Sequence, residues 1–117
     1  MSGAKHRQLL LAIVATDSTF ERTTVRGDPA WVGKCIHCNA RLVVSLDGEA
    51  DGVATIEHIV PRTHGGGDDL PNLAVACARC NALKGKRLDH RRRQDPTLSQ
   101  VIETLRARRL ARWRDGA

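Results

Sequence analysis

Four cysteines form two pairs with the spacing of metal-binding turns. Cys35 and Cys38 are separated by two residues, and so are Cys77 and Cys80. Two such turns can place four thiolates around one tetrahedral zinc ion, whereas disulfide frameworks of secreted proteins seldom use two tightly spaced, evenly matched pairs. The spacing favours a closed structural zinc site in a reducing compartment over disulfides or a redox site.

A histidine between the two cysteine pairs is a candidate general base. Neutral imidazole has a reference pKa of about 6.5, so at neutral pH His58 can take a proton from water and make the water a nucleophile. Its neighbour Glu57 is acidic. Adjacent residues on a regular strand point to opposite faces, so a bend or bulge is needed if both side chains are to serve one site.

The residues around His58 follow a fixed order that resembles the HNH nucleases. The resemblance covers about residues 35–85 and extends to neither end of the chain. It rests on Glu57-His58, then Gly65-Gly66, then Asn72-Leu73, then Cys77, Cys80, Asn81 and Lys84. It implies a ββα-metal core, in which two strands and a helix hold the site, and hydrolysis of DNA phosphodiester bonds.

The same resemblance implies a role for each motif residue. His58 would be the general base, and Glu57 and Asn81 would hold a catalytic Mg²⁺ or Mn²⁺, which oxygen ligands suit. Asn72 would brace the loop by hydrogen bonds to backbone. Two positions depart from the common pattern, because many relatives have aspartate at the position of Glu57 and histidine at that of Asn81.

Several basic side chains near the motif are candidates for phosphate contacts, which position a nucleic acid without reading its sequence. His64 is either such a contact or a plain loop histidine. His37 is expected to be exposed and without a role, since four cysteines already complete a zinc site. His6 and His90 have no motif around them. The nucleic-acid-binding candidates are Arg62, His64, Arg79, Lys84, Lys86, Arg106 and Arg109.

Charge is concentrated in the last third of the chain. Residues 1–83 carry 8 Lys and Arg against 9 Asp and Glu, whereas residues 84–117 carry 11 against 4, a net charge of +7. A neutral body with a basic tail is typical of proteins that bind phosphate backbones. The alternatives are a solvated basic helix without a partner and an anionic membrane surface, and the tail lacks the apolar face that the latter requires.

The elements that must position these residues are predicted as follows. Residues 1–16 form one helix or a buried strand, because the seven consecutive apolar residues Leu9–Ala15 suit both. This run is too short to cross a bilayer, although it could pass for a short signal-peptide core. Residues 17–34 are irregular, with turns at glycine and proline. Arg41–Leu46 and Val53–Ile56 are predicted to pair as a β-hairpin. A glycine-rich loop follows at 61–71, and residues 78–87 form a helix that begins at the second cysteine pair.

The basic tail is predicted to contain a helix of its own. Asp95 is a candidate N-cap with Pro96 at the first helical position, and Thr97 with Gln100 is the alternative, a capping box. Leu98, Val101, Ile102 and Leu105 have the spacing of one apolar stripe, which would pack on the body or serve a dimer. Arginines crowd the final turns, where they also suit the helix dipole.

Together these features predict an α+β fold in a single domain of 117 residues. Residues 1–34 would flank an HNH-like core at 35–87 held by zinc, and residues 88–117 would form the basic helix. The expected function is a metal-dependent DNA endonuclease in the cytoplasm that acts on double-stranded DNA, with a homodimer left open. The alternatives are a DNA-binding module that has lost cutting and an RNA-directed or protein-interaction zinc module.

Overall fold

Two small antiparallel sheets and three α-helices make up residues 3–116, the part of the chain that the computed structural model describes. The α+β prediction is confirmed. The helices are α1 (Gly3–Ala15), α2 (Ala78–Arg87) and α3 (Pro96–Ala111), and the strands are β1 (Glu21–Val25), β2 (Asp28–Lys34), β3 (Arg41–Ser45), β4 (Ala54–His58) and β5 (Leu73–Cys77). Among the described residues, no helix has the length and apolar character needed to span a membrane.

The first sheet has the strand order β1-β2-β3 and includes a segment predicted to be irregular. That prediction for residues 17–34 is wrong. The turn residues do not interrupt the whole segment, because Arg26 and Gly27, with φ of 51° and 86°, form only the tight turn between β1 and β2. Positive φ at both central residues gives the twist that joins antiparallel strands. A Cβ atom at Gly33 would overlap the ring of Phe20, so only glycine fits there.

The second sheet pairs β4 with β5, from Ala54 opposite Cys77 to His58 opposite Leu73. This corrects the predicted hairpin. Both of its arms are strands, but β3 pairs with β2, and β4 pairs with a strand that lies beyond the glycine-rich loop. The turn residues between the arms instead carry the chain from one sheet to the other.

β4, β5 and α2 form the ββα unit that the resemblance implies. Helix α2 packs on both strands. The predicted bounds of α2 are confirmed, and Cys77 caps it, because its Sγ accepts a hydrogen bond from the Cys80 amide at 3.4 Å. The loop between the strands contains two single turns of 3₁₀ helix, at Arg62–His64 and Leu70–Asn72.

The two outer helices complete the core. The first predicted segment is a helix, and α1 packs against β5 with Leu10, Ile13 and Val14 buried. Helix α3 begins as predicted, because Asp95 Oδ1 accepts hydrogen bonds from the amides of Thr97 and Leu98 at 2.9 and 3.2 Å. Leu98, Ile102 and Leu105 of its apolar stripe are buried in the body of the domain, so the stripe does not form a free dimer surface.

The arginines at the end of α3 hold backbone carbonyls of the body. Arg114 donates to Val14, Ala15 and Phe20, and Arg112 donates to Lys34 and Cys35. The last carbonyls of a helix have no partner within it, and a cation there also complements the helix dipole. The arginines therefore join α3 to the end of α1 and to the first cysteine turn.

Candidate active site

The four cysteines converge although they come from different elements. Cys35 follows β2, Cys38 precedes β3, Cys77 ends β5 and Cys80 lies in the first turn of α2. All four are free thiols, and their sulfur atoms lie within 4.8 Å of one another. The predicted metal cluster is therefore present, with the four thiol ligands typical of structural zinc sites.

The surroundings of the thiols also fit a cation. Backbone amides of His37 and Cys77 donate hydrogen bonds to Cys35 Sγ at 3.4 and 3.2 Å. Burial, with the neighbouring thiols of Cys77 and Cys38, raises the pKa of Cys80 above its ordinary value. A cation held by the four sulfur atoms would offset the charge of thiolate ligands, so the donor set fits zinc.

His58 lies at the end of β4, and its side chain is 19% exposed. Its Nε2 is 2.8 Å from Asp68 Oδ1 and 3.2 Å from Arg62 Nε. The hydrogen bond from His58 lowers the pKa of Asp68, so this carboxylate is ionised at neutral pH and can only accept. We therefore assign the ring proton to Nε2, and in this tautomer Arg62 Nε, which points at the same nitrogen, does not donate to it. The Arg62 guanidinium then pairs with Asp68 at 3.4 Å, and Nδ1 of His58 keeps its lone pair.

Asn72 holds the loop that follows His58. Its Oδ1 accepts a hydrogen bond from the Val60 amide at 2.9 Å, and its Nδ2 donates to the carbonyls of Val60 and Gly67 at 3.2 and 3.0 Å. Gly66 is required beside it, because a Cβ there would collide with the Val60 carbonyl. Asn72 thus makes hydrogen bonds to the loop backbone of the kind predicted for it.

Glu57 is almost fully enclosed, at 1% exposure, and faces α2. Its Oε1 lies 2.6 Å from His37 Nε2 and 3.9 Å from Lys84 Nζ. The expectation that His37 is exposed and without a role is wrong. The cysteine turn that carries His37 folds over the end of β4 and brings its ring against the Glu57 carboxylate.

Asn81 is half-buried and reaches β4 from α2. Its Nδ2 donates to Thr55 Oγ1 at 3.0 Å and to the Ile56 carbonyl at 2.9 Å. Both amide hydrogens are thereby used, which leaves Oδ1 as the free atom of the side chain. The bend expected between Glu57 and His58 is not present, because both residues pair regularly with β5, and the two side chains nevertheless line the same cleft.

One cleft of about 350 Å³ brings together Glu57, His58 and Asn81, whereas Asn72, the fourth predicted catalytic residue, does not line it. It lies between the end of β4, the start of the loop, α2 and the segment that follows α2. Its walls include Glu57, His58, Arg62, Asn81, Asp89 and His90.

The oxygen atoms in this cleft fit a hydrated divalent cation. Within residues 3–116, Glu57 Oε2 and Asn81 Oδ1 have no hydrogen-bond partner. A cluster of at least three Cys, His, Asp or Glu side chains could hold an ion without other ligands. Among residues 3–116, only the four cysteines form such a cluster. A second ion in the cleft would therefore keep mostly water or phosphate as ligands, as Mg²⁺ commonly does.

The predicted phosphate contacts divide into two groups. Arg62, Arg79, Lys86 and Arg106 are exposed, although Arg106 pairs with Glu103 at 3.2 Å. His64 is half-buried, and its Nε2 has no partner among the described residues. The remaining two candidates, Lys84 and Arg109, are 4% and 1% exposed.

The expectation for these two buried residues is corrected. Lys84 Nζ donates to the His58 carbonyl at 3.1 Å and to Asp89 at 2.8 Å. Arg109 donates to the carbonyls of Leu73, Leu70 and Thr16 inside the domain. Neither cation is available to a phosphate, because each is committed to the protein interior.

Sequence reasoning missed two partners of the motif residues. Asp68 was not distinguished from Asp69, and only the fold shows which carboxylate meets His58. His37 was set aside because the cysteines complete the zinc site without it. Its position inside a cysteine turn that must fold close to the motif could have indicated a contact with Glu57.

The chain is therefore an α+β domain in which a four-cysteine cluster that could hold zinc lies beside a histidine-bearing ββα unit. Residues 35–87 match the family model described as HNH endonuclease. The match lies on the segment that carries the resemblance, so the similarity to HNH endonucleases that its residues led us to expect is confirmed there. No curated protein and no solved structure matched the chain.

Proposed function

We propose that this protein is a metal-dependent endonuclease that hydrolyses phosphodiester bonds in DNA. The observation that carries the proposal is the shared cleft, whose walls include Glu57, His58 and Asn81. A base and two hard oxygen donors beside a phosphate-sized opening are the groups that such a hydrolysis needs. The family match of the surrounding segment supports the same conclusion.

His58 activates the attacking water in this mechanism. Its Nδ1 accepts the proton of the water, while Nε2 donates to Asp68 and keeps the ring in one orientation. Asp68 is a positioning residue, since it acts through the histidine. Asn72 fixes the backbone that directly follows His58 and thereby the place of the base relative to the cleft.

Glu57 and Asn81 would hold a divalent cation, Mg²⁺ or Mn²⁺, through Oε2 and Oδ1. When bound, such an ion polarises a phosphate oxygen and stabilises charge on the departing 3′ oxygen. His37 and Lys84 hold the other oxygen of Glu57 and fix the direction of the carboxylate. Arg62 is exposed at the edge of the cleft and would contact an adjacent phosphate.

The substrate we infer is double-stranded DNA, and the products carry a 5′-phosphate and a 3′-hydroxyl. A chain with one such cleft cuts one strand per visit. Cutting both strands requires two visits or two chains, and a homodimer would need a surface other than the buried stripe of α3. The grouping of the four cysteines as metal ligands supports a reducing compartment, such as the cytoplasm, as the place where the protein works.

The test is incubation of the zinc-loaded protein with supercoiled plasmid under Mg²⁺, Mn²⁺ or a chelator, with zinc content measured in every sample. We expect nicked plasmid with Mg²⁺ or Mn²⁺ and none with a chelator that leaves the zinc in place. An absence of cutting under every metal, with the zinc retained, would contradict the proposal. Plasmid binding without cutting would then favour the DNA-binding module.

A further inference from the structure

The basic side chains of the C-terminal third differ in how many of their N–H groups remain available to a ligand. At the end of α3, Arg108, Arg109, Arg112 and Arg114 all donate to backbone carbonyls of the body. A guanidinium whose N–H groups are used in this way has fewer left for a phosphate. The arginine-rich end of α3, which composition alone marks as the binding surface, is therefore mainly structural.

Besides Lys86 and Arg87 on α2, the basic side chains of this third that have no partner among the described residues lie in the connector, which we define as residues 88–95 between α2 and α3. Within the described part of the chain, the side chains of Arg92 and Arg93 have neither an ion pair nor a hydrogen bond. Arg92 and His90 are exposed, and Arg93 is half-buried. Arg91 differs from them, because it is held by the Arg87 carbonyl and by Asp95 at 3.5 Å.

The connector is fixed in place by the residues around the cleft. The buried Lys84 pairs with Asp89 at 2.8 Å, and the Asp89 amide donates to the Lys84 carbonyl at 3.1 Å. Thr63 donates to the Asp89 carbonyl from the loop side at 3.4 Å. Ser99 of α3 donates to the Arg93 carbonyl at 2.9 Å. An ordered segment loses less conformational entropy when it binds a ligand than a mobile one does.

The connector also adjoins the cleft directly. Asp89 and His90 line the cleft together with His58 and Asn81. His90 lines a second hollow as well, of about 720 Å³, whose other walls include Arg91 and Arg92. A DNA strand with one phosphate at His58 can therefore continue over His90 into a hollow lined by arginine.

We propose that the connector is the surface that holds the DNA backbone next to the cleft, with Arg92 and Arg93 as phosphate contacts. This inference rests on the proposed nuclease function. It adds to Arg62 two phosphate contacts that lie outside the family-matched segment 35–87. Arg106, which projects from α3 and pairs with Glu103, is then a minor contributor.

The test is the salt dependence of binding to a short labelled DNA duplex, measured in a His58→Ala background so that cutting does not interfere. Removal of one cation that neutralises a phosphate should lower the slope of log K against log salt by about 0.9. For the double variant Arg92→Gln with Arg93→Gln, we expect the slope to decrease by nearly twice that amount. The charge-preserving pair Arg92→Lys and Arg93→Lys should keep most of the slope.

The matched control is Arg22→Gln, which removes one exposed positive charge from β1, a strand that contributes nothing to the cleft. It should leave the slope unchanged. An unchanged slope in the zinc-loaded Arg92/Arg93 double variant, or an equal decrease in Arg22→Gln, would overturn the inference. If the double variant does not fold, the two single variants decide by the same criterion. Failure of the nuclease proposal would appear separately, as a wild-type protein that binds the duplex and leaves plasmid intact.

Discussion

A histidine can act as a base only if one of its ring nitrogens keeps a lone pair available to water. At position 58 the fold meets this condition by placing an ionised carboxylate, Asp68, 2.8 Å from Nε2. The loop that delivers Asp68 is tied back by Asn72, through hydrogen bonds to the Val60 and Gly67 carbonyls. The motif residues therefore depend on a neighbour that the motif does not name.

We predict that Asp68→Asn lowers the turnover number of DNA cleavage by roughly 10²-fold, the usual cost of a misplaced catalytic group. The asparagine can present its NH₂ group to Nε2, which would stabilise the wrong tautomer and leave Nδ1 protonated. The KM for DNA and the zinc content should change little, because Asp68 touches neither. The measurement is steady-state cleavage of a labelled duplex together with metal analysis.

Asp69→Asn is the matched control for this prediction. Asp69 is also exposed and directly follows Asp68, but its side chain has no hydrogen-bond partner among the described residues. It should cleave like the wild type. Equal losses in the two variants would show that only the charge of the loop matters and would remove the positioning role from Asp68.

At the scale of elements, α3 joins parts of the chain that are far apart in sequence. Arg109 is buried and donates to Thr16 after α1, to Leu70 in the loop and to Leu73 at the start of β5. Burial lowers the pKa of this guanidinium, and the nearby Asp17 carboxylate opposes that shift. The side chain also stacks on the ring of Trp113, with 4.7 Å between the guanidinium carbon and the ring centre.

We predict that Arg109→Met lowers the free energy of unfolding by roughly 2 to 4 kcal/mol, because buried carbonyls lose their donors. In a domain of this size the melting temperature should fall by about 10 °C or more. Thermal unfolding at constant zinc measures the change. Arg106→Met removes an exposed arginine from the same helix and should alter stability by no more than about 0.5 kcal/mol. A similar small effect of Arg109→Met would contradict the structural role.

The elements that sequence predicted correctly are those whose signals are local. Helix α3 has its cap in Asp95 and Pro96, and α2 begins at the cysteine that caps it. The strands were harder, since their partners lie far along the chain. β3 and β4 have turn residues between them, which predicts a hairpin, but hydrogen bonding to β2 and β5 decided the pairing. Non-local pairing of this kind leaves no pattern within a short window.

The candidate site was predictable to a similar extent. The motif identified His58, Glu57, Asn72 and Asn81, and three of these line one cleft. What sequence could not predict was the fate of each basic residue. Lys84 and Arg109 have the same side-chain types as the exposed Lys86 and Arg92, and only packing separates cations that stabilise the domain from those left free for phosphate.

At the scale of the whole molecule, the cysteine cluster joins the two sheets. Cys35 follows β2 of the first sheet, and Cys77 ends β5 of the second. His37, inside the first cysteine turn, contacts Glu57 of the cleft at 2.6 Å. The cysteine cluster and the predicted catalytic residues are therefore neighbours, and we expect loss of the cluster to disturb the cleft as well as the fold.

We predict that Cys77→Ser abolishes stoichiometric zinc binding and leaves the chain largely unfolded, because metal binding and folding are coupled at such sites. Zinc content by mass spectrometry and helix content by circular dichroism test this. Wild-type protein refolded with and without zinc is the control, and it should regain structure only with the metal. A folded Cys77→Ser protein without bound metal would count against a structural ion.

The measurement that tests the account most directly is single-turnover cleavage of a DNA duplex by wild-type protein and by His58→Ala at saturating Mg²⁺. General-base catalysis is worth about 10² to 10⁴ in rate. The account predicts a loss of that size in the variant, with zinc content and duplex affinity equal to those of the wild type. Cleavage by His58→Ala at the wild-type rate would contradict it.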